Sequence, residues 1–147
     1  MNLKTTVKLI TAIAILEGLI FNFIQFVNDY QPITIKNVAA TAAFIILWGS
    51  ALLISIKNKY SGFLKFSLGY WLFTLFFAGV IIYVNLTDAI VDWAIPPALL
   101  LLPQWHGLSY YIENYLIIGI VIAGVSAVFV AITVTVLLMK KYKPLRV

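Results

Sequence analysis

Cysteine is absent from the 147 residues. That excludes disulfides, thiol catalysis and thiolate metal sites together. Charge is nearly as scarce, at 10% of residues against 63% hydrophobic, far from the balance of soluble globular chains. No water-soluble domain of this size can hide so much apolar surface, so the composition calls for a bilayer as solvent. Histidine occurs once, at His106, and it falls outside every long apolar run, so a haem held between helices would lack its ligand. No lysine stands in the middle of a run to carry a retinal Schiff base, and no run is rich in arginine. Gly-rich phosphate loops, HExxH and GxSxG are missing as well. These absences leave no metal, no cofactor and no catalytic residue to assign.

What is present is long and apolar. Runs of roughly 17–25 residues cross the hydrocarbon as helices, and four qualify: Val7–Val27, Val38–Ile56, Phe66–Val84 and Tyr115–Met139. Lys4 and Lys8 precede the first run, as they would in a secretory signal. The run continues past Glu17 to Val27 with no small-residue cleavage site after it, so it reads as a retained span. Residues 1–147 therefore read as one all-α domain, a polytopic four-transmembrane-helix bundle.

Basic residues set its orientation. Lys4, Lys8, Lys57, Lys59, Lys65, Lys140, Lys141, Lys143 and Arg146 all fall at one side of such a bundle, and only Lys36 falls at the other. Positive charge marks the cytoplasmic side. Both termini are thus expected in the cytoplasm, with Asn28–Asn37 and Asn85–Tyr115 outside, in a plasma (inner) membrane. The net charge of +5 serves this orientation and is no sign of nucleic-acid binding.

The stretch Asn85–Tyr115 is the one long departure from uniform hydrophobicity. It holds Asp88, Asp92, Glu113, His106, Trp93, Trp105 and three prolines, with no Lys or Arg. Thr87 reads as the N-cap of a short helix from Asp88 to Ala94, ended by Pro96-Pro97. Ala98–Leu102 is too short to span and is closed by Pro103. The stretch is expected to lie as an outward-facing interfacial helix and loop, with Trp93 and Trp105 at headgroup depth. A re-entrant course is the alternative, and it requires the unpaired backbone to be covered by protein.

Glu17 is the single carboxylate inside a span, where charge costs on the order of 3 kcal/mol. At about 100° per residue, Thr11, Glu17, Gly18, Asn22, Gln25, Asn28 and Asp29 fall within roughly 140° of arc. Such a stripe either lines a hydrated outward cavity or serves packing through a neutral, hydrogen-bonded Glu17. Asn37, Thr41, Trp48 and Ser55 share a face of the second span. Ser67, Tyr70, Trp71, Thr74 and Asn85 share one on the third. Together they suggest a polar, aromatic interior near the outer half, with Glu17, Asn22, Gln25, Trp48, Tyr70 and Trp71 as candidates to bind a ligand or proton. Outside, Asp29, Asp88, Asp92, His106 and Glu113 form an acidic cluster, read as a solvated rim unless it converges on a cation or a lipid headgroup. On the fourth span Gly119, Ala123, Ala127, Ala131 and Thr135 recur every four residues, a spacing that lets another helix approach. The neighbour is either another helix of the bundle or a second copy or larger complex.

The reading is a small non-enzymatic binding, accessory or protective membrane protein with the bilayer as its main partner. One alternative is a proton- or cation-coupled oligomeric carrier titrating at Glu17. The other is an enzyme acting on a lipid with His106 and Asp88 or Asp92.

Overall fold

The computed structural model describes residues 2–28 and 32–141. Asp29 and everything after Lys141 lie outside the described residues. Five α-helices carry the fold: α1 (Leu3–Val27), α2 (Ile35–Lys57), α3 (Ser61–Thr87), α4 (Ile95–Leu101) and α5 (Tyr115–Lys141). No strand occurs among the described residues. Four of the helices are long and apolar enough to cross a membrane, and each contains one expected span, extended by a few residues at most ends. Local chemistry sets the boundaries. The side chain of Asn2 accepts the amide of Lys4 (3.2 Å) to start α1. Asn37 Oδ1 accepts both the amide and the hydroxyl of Thr34 (2.9 and 3.0 Å) at the head of α2.

The sequence reading fails first between α3 and α4. The apolar pattern of α3 runs on through Thr87, whose hydroxyl donates back to the carbonyl of Tyr83 (2.8 Å) as a helix-interior threonine does. Asp88 is therefore no helix starter; it is the left-handed C-cap of α3, at φ 53°. The expected helix from Asp88 to Ala94 shrinks to one 3-10 turn, Asp92–Ala94. Pro96-Pro97 begin α4 and do not end a helix, because a first turn has no amide partners for proline to remove.

Two helix pairs form, α1 on α2 and α3 on α5. An aromatic core joins them. Trp48 of α2 stacks on Tyr70 of α3 at 4.1 Å, and Trp71 of α3 stacks on Phe129 of α5 at 4.1 Å. Trp105 meets Phe44 at 5.7 Å and Trp71 at 6.2 Å. Trp105 is 2% exposed and Trp93 is 62% exposed, so Trp105 belongs to the core and Trp93 to the surface.

The small-residue row of α5 does not keep to one face. Four residues advance a helix by about 400°, so each step drifts roughly 40°. Gly119 is buried, Ala123 half-buried, and Ala127, Ala131 and Thr135 are exposed. At Gly119 the neighbour is α3, since a Cβ there would stand 3.1 Å from Ile81 and Ile82. The row begins as a contact within the bundle and winds out to the open side.

Candidate functional site

The segment Pro103–Tyr110 is a 3-10 helix wedged against α1 and α2. Pro103, Gln104, Trp105, His106 and Gly107 are all buried. This corrects the interfacial reading: the segment turns into the bundle. Its backbone is covered as such a course requires, by 3-10 bonds such as Trp105 N to Leu102 O (2.9 Å) and by the Gly107 amide donating to Thr41 Oγ1 (3.0 Å). Two glycines create the seat. Gly18 of α1 leaves a notch for Gln104, and a Cβ there would come within 2.5 Å of the Gln104 Cγ. Gly107 presses its own backbone onto α2, and a Cβ there would fall 2.2 Å from the Asn37 carbonyl oxygen. Gly18 lies nine residues before the end of α1, so Gln104 reaches about 14 Å down from that end at 1.5 Å per residue.

Above the notch one amide side chain ties α1 to α2. Asn37 Nδ2 donates to Asn22 Oδ1 (2.9 Å) and to Gln25 Oε1. Lys36 lies over the ring of Phe21 at 5.3 Å. Thr11, Gly18 and Asn22 are fully packed. At Gly18 and Asn22 the α1 stripe meets Gln104 and Asn37 and not a hydrated cavity. Glu17 is half-buried, with one carboxylate oxygen buried and without a hydrogen-bond partner among the described residues. It borders none of the three main cavities. Trp48 and Trp71 are wholly buried in the core, and Tyr70 is packed against it.

A cavity with polar groups in its lining lies elsewhere. It measures about 540 Å³ and opens between the C-terminal end of α3 and the N-terminal end of α5 under the 89–109 stretch. Its walls are apolar, among them Phe77, Ile81, Ile95, Ala98, Ile118 and Ile122, and its polar groups are few, chiefly Asn85, His106 and Ser109. His106 packs edge-on against Phe26 of α1 at 5.8 Å. Trp105 borders the same space, and its indole N–H is buried with no acceptor among the described residues. Asp88, Asp92 and Glu113 are exposed, and no described carboxylate lines the cavity. Asp88, Asp92 and Glu113 thus do not meet His106 there, and no three described metal-ligating side chains converge. Asp29, the remaining member of that cluster, lies outside the described residues.

Sequence reading singled out His106 and Asn85 but missed Trp105 and Ser109 as cavity residues, and Gly107 with Gln104 as the docking elements. One signal pointed to them. From Trp93 to Ile112 the chain carries no Asp, Glu, Lys or Arg, which suits a segment drawn inward.

No protein-family model matches the chain, and neither a curated protein nor a solved structure is significantly similar to it.

Proposed function

We propose that this is an integral protein of the plasma (inner) membrane, with its basic side cytoplasmic, that binds an apolar small molecule in the outward cavity without transforming it. The membrane setting is supported by four helices of spanning length and by nine of ten basic residues at one side. The observation that carries the binding role is the cavity itself. At about 540 Å³ it has the size and largely apolar lining of a ligand pocket with a few orienting polar groups. The unmatched Trp105 indole N–H asks for an acceptor, so the ligand is an apolar body bearing a carbonyl or carboxylate oxygen. A role as a binding or accessory protein follows, with partners through the open side of α5 as a further element of the proposal.

A diazirine-bearing fatty acid tests the pocket. Irradiated with the purified protein in detergent, it is expected to label peptides containing Val80–Asn85 and residues 89–109. Ala98→Phe should fill the cavity and lower that labelling roughly fivefold, and Trp105→Phe should lower it for the acid more than for a hydrocarbon diazirine. Labelling spread evenly over all helices and unmoved by Ala98→Phe would sink the proposal. Vesicle uptake of protons or cations abolished by Glu17→Gln would instead support a carrier, the reading that the unpartnered Glu17 oxygen favours.

Orientation is tested separately. The chain has no native cysteine, and Ser61 and Asp92 are both exposed at opposite ends of α3 and its outward extension. In intact cells a membrane-impermeant thiol reagent should modify Asp92→Cys and leave Ser61→Cys untouched until the membrane is opened.

A further inference from the structure

α1 packs on α2 and, in its C-terminal half, on Pro103–Tyr110, but hardly touches α3, which leaves a gap at the basic end of the bundle. The gap is a crevice of about 470 Å³. Ala12, Ile15, Phe63 and Phe66 form its walls, and Lys8 and Tyr60 stand in it. The hydroxyl of Thr11, also in the lining, is spent on the Val7 carbonyl at 2.9 Å. The walls therefore offer no unsatisfied polar group and suit a hydrocarbon chain, not water.

The mouth is different. Lys8 borders it, and the Lys4 ammonium lies 5.9 Å from the centre of the Tyr60 ring. Lys57 and Lys59 flank Tyr60 in the turn between α2 and α3. Among the described residues no carboxylate stands at this end. The nearest along α1 is Glu17, nine residues beyond Lys8, or about 14 Å at the helical rise. An apolar slot between helices, with uncompensated lysines at its cytoplasmic mouth, has the arrangement that recognises an anionic lipid headgroup.

We infer that the crevice between α1 and α3 binds one anionic phospholipid of the inner leaflet. One acyl chain lies against Ala12, Ile15, Phe63 and Phe66, and the phosphate sits between Lys4 and Lys8. Tyr60 keeps the Lys4 ammonium at the mouth. This inference rests on the membrane reading above but not on the outward cavity, and its test shares no variant with either.

Native mass spectrometry of the delipidated full chain, with phosphatidylglycerol or phosphatidylcholine of identical acyl chains, decides it. Phosphatidylglycerol is expected to bind as a single adduct with roughly tenfold preference at low salt, falling as salt is raised. Lys4→Gln with Lys8→Gln should abolish the preference and keep weak binding of both lipids. Ala12 is exposed, so Ala12→Phe should leave the fold intact, as checked by unchanged thermal unfolding, and should block both lipids with the lysines still present. Equal binding of the two lipids by the unmodified protein would overturn the inference. So would a preference that survives the double lysine variant, or inorganic phosphate competing as well as the lipid does.

Discussion

Gly107→Ala is expected to unseat the Pro103–Tyr110 segment and to cost more than about 4 kcal/mol, the range reached only by severe steric or burial defects. The added methyl would lie 2.2 Å from the carbonyl oxygen of Asn37, with the Thr41 hydroxyl 2.6 Å away. Neither the α2 backbone nor a threonine that already accepts the Gly107 amide can step aside without losing a bond. Gly18→Ala meets the same segment from the other side but is milder. Its nearest neighbour is a flexible Gln104 methylene at 2.5 Å, with the Gln104 Cα at 3.1 Å, and a shift of that side chain leaves an overpacking cost of about 1–3 kcal/mol. Gly69, Gly79 and Gly124 face open space, and alanine at any of them should be near neutral. Unfolding in detergent, followed by tryptophan emission, measures the series, since release of the segment exposes Trp105. A Gly107→Ala protein as stable as the Gly79→Ala control would refute the docked position of the segment.

The second large effect is expected at Asn37. Its side chain holds the head of α2 through Thr34 and bridges to Asn22 and Gln25 of α1. Asn22 is fully buried, and its own amide nitrogen has no partner among the described residues. Asn37→Leu would leave the Asn22 oxygen stranded as well, at roughly 1–3 kcal/mol for such a group, and would remove a cap contribution of about 1 kcal/mol. A total loss of about 3 kcal/mol is expected. Asn22→Ala removes one acceptor but leaves Asn37 Nδ2 bonded to Gln25 Oε1, and should cost less than Asn37→Leu. Asn58, exposed and bonded only to the carbonyl of Ile54 in its own helix, should tolerate alanine with no measurable change. Denaturant titration of the three variants orders them, and Asn37→Leu falling level with Asn58→Ala would show that the bridge contributes nothing.

The long helices were legible because hydrophobicity of spanning length is a local property, readable without knowing any neighbour. The caps were half legible. Thr87 carries the residue type of an N-cap, yet it stands where an apolar pattern has not ended, and continued helix outweighs a capping preference. Pro96-Pro97 marked a helix boundary without telling which side of it is helical. The docking of Pro103–Tyr110 was beyond reach for a physical reason. It depends on a notch at Gly18 and a flat backbone at Gly107, residues 89 positions apart in the sequence. Nothing local distinguishes those glycines from Gly69 or Gly79, whose missing side chains face nothing. Gly18 of the α1 stripe meets Gln104 of the same chain, a partner that no local pattern announces.

The bond between Gly107 and Thr41 spans 66 positions, and this has a consequence for how the protein is made. At about 5–20 residues per second, α1 and α2 leave the ribosome roughly 3–13 s before the segment that covers them. During that interval the groove between them stays open, and Asn22, Thr41 and the floor at Gly18 face whatever stands beside them. A nascent chain stalled before Gly107 would present the same uncovered groove.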